Sequence, residues 1–158
     1  MAVDTRQVLN RRQLRYESLD DFLRDTDGLT TGISRTLGNW TLAQIFEHLA
    51  RWFRMAVEGT DVQVPRWVQF VLWQWRKRSL SMPSKPGFKI PSPLESVLLP
   101  EEGLSTDRCL QDLRGAVSRF RGASQFAPHP AYGQLTRDEW HQLALRHAEM
   151  HMSFIVPQ

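Results

Sequence analysis

The chain has 158 residues, enough for one domain with a core of its own and no need of covalent staples. Apolar residues make up 41% and charged residues 23%, a balance that excludes a disordered chain. Cys109 is the single cysteine, which excludes an intrachain disulfide, and a formal charge of +3 is too small to announce a nucleic-acid binder.

Residues 1–17 read as an N-terminal arm. They contain no apolar run of the kind a secretory leader needs, so a cytoplasmic location is expected. Arg11, Arg12 and Arg15 in this arm, and Arg76, Lys77 and Arg78 further on, read as solvated surface clusters. No nucleic-acid partner is expected, because no longer basic stripe or recognisable module accompanies them.

Helical periodicity then dominates, and neither period-2 alternation nor a hairpin signal competes with it. A first helix is expected over 19–33, with Leu19, Phe22, Leu23, Leu29 and Ile33 on its inner face. A second is expected over 41–58. Thr41 and Gln44 have the form of a capping box, and Leu42, Ile45, Leu49, Trp52, Phe53 and Ala56 form its apolar stripe before Gly59 ends it. The stretch 66–80, opened by Pro65, is helical and apolar almost all round. Such a helix is expected to be buried, either under the following connection or in a homodimer interface, with little affinity for lipid. Its apolar core, from Trp67 to Trp75, is too short to span a bilayer.

Five prolines in the 82–104 segment forbid a continuous helix, so it reads as a long, irregular, proline-rich crossover. A third bundle helix is expected over 106–121, with Leu110, Leu113, Val117 and Phe120 inward and Cys109 at the edge of the stripe. The last is expected over 136–155, opened by a second capping box, Thr136 with Glu139. The whole chain, 1–158, is thus expected to be one all-α domain, a four-helix bundle with a long crossover.

The chemistry lies in the histidines. Stepping about 100° per residue from Trp140 brings His147 and His151 onto the inward face of the last helix, one turn apart. Two imidazoles at that spacing can reach one ion. His48, between Ile45 and Trp52, faces inward from the second helix. Unpaired buried imidazoles cost on the order of 1–3 kcal/mol each, and a divalent metal that accepts their lone pairs removes that cost. His48, His147 and His151 are therefore the expected metal ligands. Three nitrogen ligands leave a coordination position open, the catalytic pattern for zinc, though nickel, copper or iron would also suit imidazole. His141 falls on the flank of its helix and is expected at the surface. His129, between Pro128 and Pro130, reads as a turn residue that could reach the mouth of the site. Glu47 and Glu149 point away from the expected site, so no general base is assigned.

The stretch from Asn39 to Ala50, NWTLAQIFEHLA, resembles the second helix of the DinB/YfiT-like superfamily, and His147-Ala148-Glu149-Met150-His151 resembles its last. The segment His129-Pro130-Ala131-Tyr132-Gly133, with Leu135-Thr136 and Glu139-Trp140, is similar to an uncharacterised branch of that superfamily. Met150 stands where many relatives have a further histidine. The resemblance implies a four-helix bundle holding a divalent metal (zinc, nickel or iron) through His48, His147 and His151. It also implies transfer or isomerisation chemistry on a small-molecule substrate, with a low-molecular-weight thiol such as bacillithiol or mycothiol. Two functions are thereby expected to compete: a metal-dependent thiol S-transferase or hydrolase, and a non-catalytic metal-binding or interaction module acting as a homodimer.

Overall fold

A computed structural model describes residues 3–62, 64–87 and 89–158. Met1 and Ala2 of the expected arm, Gln63 and Phe88 of the expected crossover lie outside the described residues. The elements run α1 (Leu19–Thr31), β1 (Ser34–Thr36), α2 (Leu42–Glu58), α3 (Arg66–Ser81), α4 (Ser92–Leu98), α5 (Thr106–Gly122), α6 (Arg137–Met152) and β2 (Ile155–Pro157), after a 3-10 turn at Thr5–Gln7. The chain is thus mostly helical, with one small sheet.

Local chemistry sets the helix starts. The Thr41 hydroxyl accepts from the Gln44 amide at 3.2 Å, and the Gln44 side chain accepts from the Thr41 amide at 2.9 Å. Thr136 and Glu139 do the same for α6, at 3.2 and 2.9 Å. Both expected capping boxes are therefore present. A third, Ser18 with Asp21, opens α1 and escaped the sequence reading. At the other end of α2, Gly59 takes a φ of 84° and returns its amide to Met55 at 2.8 Å.

Most of the core comes from four of the helices. α1 supplies Phe22 and Leu29; α2 supplies Phe46, Leu49, Phe53 and Ala56; α5 supplies Leu113, Val117 and Phe120; α6 supplies Trp140, Ala144, Ala148 and Met152. Phe53 is central, its ring 6.1 Å from that of Phe22 and 5.1 Å from that of Phe120. The N-terminal arm is strapped across α1 and α6. Arg12 grips both oxygens of Asp25, at 2.6 and 2.8 Å, and the Tyr16 hydroxyl donates to the same carboxylate at 2.5 Å. Arg11 donates to Ser153 at 3.0 Å and covers the Phe154 ring. Of the arginine cluster expected to be solvated, only Arg15 is exposed, while Arg11 and Arg12 are half-buried.

Four expectations are corrected. The first helix ends at Thr31, and Ile33, expected inside, is 74% exposed. Gly32 ends the helix, and the Ile33 carbonyl accepts from Gln158 instead. The last helix stops at Met152, because Ile155 enters β2 and pairs with Thr36 in an antiparallel ladder. Three-residue strands are too short to show a period, which is why neither was expected. The crossover contains a helix, α4, whose prolines sit at its N-cap and first turn, where a missing amide costs nothing. Finally, α3 is helical as expected but is not buried under the crossover: Trp67 is 73% exposed and Trp75 62%.

The fold predicts an ordering of mutational costs. Thr41→Ala should destabilise by about 1 kcal/mol, the worth of one cap. Phe53→Ala should cost about 3–5 kcal/mol, because it empties space shared by α1, α2 and α5. Urea unfolding of the two variants checks the order; equal costs would contradict the assignment of Phe53 to the centre of the core.

Candidate metal centre

His48, His147 and His151 come together where α2 meets α6. The capping box of α2 sets the phase that buries His48, which is only 2% exposed. α6 carries His147 and His151 one turn apart, both half-buried. The three rings are mutual neighbours, with centroids 4.4 Å apart for His48 and His151, 4.7 Å for His147 and His151, and 5.3 Å for His48 and His147. One ligand atom from each residue can be chosen so that all three lie within 4.8 Å of one another. The Nε2 atoms of His48 and His147 are 3.2 Å apart. Two imidazoles on one tetrahedral ion, each at about 2.0–2.1 Å, place their nitrogens about 3.4 Å apart, so this spacing fits a shared ion.

The tautomer of His48 is set by its surroundings. Its Nδ1 lies 2.7 Å from the carbonyl oxygen of Leu98. A carbonyl only accepts, so Nδ1 carries the hydrogen and a neutral His48 presents a bare Nε2 toward His147. This is the arrangement in which a second partner orients a metal-binding imidazole. Sequence reasoning missed that partner, because it is a backbone atom at the end of α4, within a segment expected to be irregular.

Electrostatics keeps the cluster neutral. Burial is the largest cause lowering the pKa of His48, with the positive charge of Arg51 adding to it and the Leu98 bond opposing; the result is about 4. His147 and His151 are held well below the ordinary histidine value, first by burial and then by the neighbouring imidazoles. All three are thus uncharged at neutral pH, each with one ring nitrogen bare, as metal ligands must be. Aromatic walls enclose them. Trp40 lies nearly parallel to His151 at 5.5 Å, and Trp52 nearly parallel to His147 at 5.0 Å.

The other histidines stay apart from this cluster. His129 is half-buried in the loop before α6, its ring 4.9 Å from Tyr132 and 5.3 Å from Trp140. Its Nδ1 accepts from the amides of Ala131 at 3.1 Å and Tyr132 at 3.2 Å. The hydrogen of the neutral ring therefore sits on Nε2, so His129 is a donor and not a fourth ligand. The turn role expected for it is present, and it lies near enough to His147 to bear on that residue's charge. His141 is not the free surface residue expected. Its ring packs on Phe120 at 5.0 Å and its Nε2 is buried without a hydrogen-bond partner among the described residues.

Among the described residues, no carboxylate joins the three histidines. Glu47 accepts from Arg51 at 2.6 Å and from the Glu101 amide at 2.8 Å. Glu149 does point away from the histidines as expected, but it is buried there, paired with Arg146 at 2.7 Å and accepting from the Tyr16 amide at 2.5 Å. A surface depression of about 540 Å³ lies at the start of α2 between Asn39 and Thr106 and is lined by none of the three histidines.

Two predictions follow from this geometry. His147→Ala and His151→Ala should each abolish retention of a divalent metal through dialysis against a weak chelator, whereas His129→Ala and His141→Ala should retain it; elemental analysis reads the stoichiometry. Equal metal content in all four variants would remove the site. The second concerns acid. The unfolded His48 takes up a proton near pH 6.5, the folded one only near 4. Between those values the folded metal-free protein binds fewer protons than its unfolded chain, so stability should fall as pH drops, by about 3 kcal/mol for His48 alone. Urea titrations of metal-free wild type and His48→Gln at pH 7 and pH 4.5 check it; an unchanged difference between them contradicts it.

Comparison with curated proteins and with solved structures finds no match. A family model described as protein of unknown function (DUF1569) matches residues 8–158, a span that includes all three histidines, the crossover and α3. The chain therefore belongs to the DUF1569 family.

Proposed function

We propose that this protein is a divalent-metal-binding protein of DinB-like four-helix-bundle type, with α1, α2, α5 and α6 as the bundle and residues 82–104 as its crossover. The observation that carries the reading is the tautomer of His48: the Leu98 carbonyl commits its Nδ1 hydrogen and leaves Nε2 bare, 3.2 Å from that of His147. The order of ligands, one from α2 and two from α6, also agrees with the resemblance of the two histidine-bearing segments.

The reaction proposed is metal-dependent transfer to a low-molecular-weight thiol, with hydrolysis as the second choice. A divalent ion held by His48, His147 and His151 would supply Lewis acidity, which would lower the pKa of a bound thiol or water. The chain's own residues do the rest. His48, His147 and His151 remain neutral and hold their nitrogens convergent. Trp40 and Trp52 fence two sides with apolar surface, which keeps the local dielectric low and strengthens electrostatic interactions inside. In the transfer itself a thiolate sulfur forms a bond to an electrophilic carbon of the second substrate, whose leaving group departs with the bonding pair. The thiol proton passes to solvent, since Glu47 and Glu149 are engaged elsewhere. Zinc, nickel and iron all suit this nitrogen set. A non-catalytic role is favoured by a different feature, the exposed aromatic helix α3, taken up below.

The test is a thiol-consumption assay on protein loaded in turn with zinc, nickel and iron, using bacillithiol or mycothiol with 1-chloro-2,4-dinitrobenzene as acceptor. Turnover should require the metal and fall at least about 100-fold in His147→Ala, the size of effect expected when a site loses its Lewis acid. Metal-independent turnover equal in the two proteins would overturn the reading.

A further inference from the structure

A cluster of exposed apolar side chains lies on α3. Trp67, Phe70, Val71, Trp73 and Trp75 all face solvent to a large degree, and they are half of the large exposed apolar side chains among the described residues. Isolated exposed apolar residues need no explanation, but a contiguous set marks an interaction site. The helix is not a loose segment waiting to fold inward. Its other side is fastened to the body: Leu80 is buried, Arg76 pairs with Glu139 of α6 at 2.8 Å, and the Gln69 side chain donates to the Pro130 carbonyl at 3.1 Å. These anchors fix which side looks outward.

The charge of this region is one-sided. From Val62 to Leu94 the sequence holds no aspartate or glutamate but six basic residues, Arg66, Arg76, Lys77, Arg78, Lys85 and Lys89. This stretch therefore carries +6 in a chain whose total is +3. All of them except Arg76, which pairs with Glu139, are exposed. On α3 they stand at the two ends, Arg66 before and Arg76 to Arg78 after an uncharged run from Trp67 to Trp75.

We infer that α3 docks on an anionic lipid surface, lying in the headgroup plane with Trp67, Phe70, Val71 and Trp75 against the acyl boundary and Arg66, Lys77 and Arg78 at the phosphates. Tryptophan beside lysine and arginine suits that interface, where the basic stems lie along apolar surface and their heads reach the headgroups. The helix lies on the membrane and does not cross it, since none of the described helices is long and apolar enough to do so. A second copy of the chain is a poorer occupant. A two-fold contact through α3 would set this positive field against itself with no acidic residue in the stretch to offset it. Single-stranded nucleic acid could stack on the tryptophans, but the outward Val71 has no ring to contribute to stacking.

Cosedimentation with vesicles decides. Vesicles of mixed phosphatidylglycerol and phosphatidylcholine should bind the protein at least about tenfold better than phosphatidylcholine alone, with a blue shift of tryptophan emission, and about 0.5 M salt should weaken the binding. Lys77→Gln with Arg78→Gln should cost about 25-fold, since each basic side chain near an anionic surface contributes roughly a factor of five. Trp67→Ser with Trp75→Ser should abolish the binding while leaving the far-UV spectrum and metal content unchanged. Failure to bind anionic vesicles, or binding that ignores both double variants, overturns the inference. So does a dimer in sedimentation velocity that Trp67→Ser with Trp75→Ser dissolves, or tighter binding to a single-stranded oligonucleotide than to the anionic vesicles.

Discussion

The hydrogen bond from His48 Nδ1 to the Leu98 carbonyl, 2.7 Å long, is the contact on which the candidate site depends. It joins three parts of the chain that are far apart in sequence. The donor belongs to α2, the acceptor to the end of α4 in the crossover, and the nitrogen it leaves bare faces α6. A long proline-rich connection would otherwise cost conformational entropy without return. Here it delivers a backbone acceptor to a buried imidazole, and Glu47 fastens the same connection a second time by accepting from the Glu101 amide. Prolines at the N-cap and first turn of α4 let a short helix form and bring the Leu98 carbonyl to His48.

Enclosure gives the three imidazoles their common character. Each is depressed mainly by burial; the charge of Arg51 adds to this at His48, and neighbouring imidazoles add to it at His147 and His151. A cluster of neutral nitrogen donors in a poorly solvated space has few ways to be satisfied. One is a single N–H···N bond between His48 and His147, which their 3.2 Å separation permits. The other is a shared cation, which takes all three lone pairs at once. The flat stacking of Trp40 on His151 and Trp52 on His147 limits how far the rings can turn to find anything else.

Much of this was legible in the sequence, and what was not has physical causes. The capping boxes at Thr41 and Thr136 fix helix phase within one turn, and phase is what aims His48, His147 and His151 inward. Those readings depend only on local spacing. Cover of α3 by the crossover is not what the chain adopts, because an all-round apolar helix meets the same pattern whether its cover is its own core or a partner, and periodicity does not distinguish them. The β1–β2 pair was invisible because its register is set by Thr36 meeting Ile155 across most of the chain length. Leu98 was missed for a related reason: its contribution is a carbonyl, which every residue type possesses. Membership in the DUF1569 family extends over the whole of this architecture without assigning it a reaction.

The candidate metal centre and the proposed docking face are linked through one helix. α6 carries His147 and His151 on one side and, through Glu139, holds Arg76 of α3 on another. The central claim, however, concerns the three nitrogens alone. X-ray absorption of protein loaded with one equivalent of zinc tests it most directly. Three imidazole nitrogens at about 2.0–2.1 Å, with one further light ligand, is the predicted first shell. A shell with a sulfur ligand, or with fewer than three imidazoles, would contradict it.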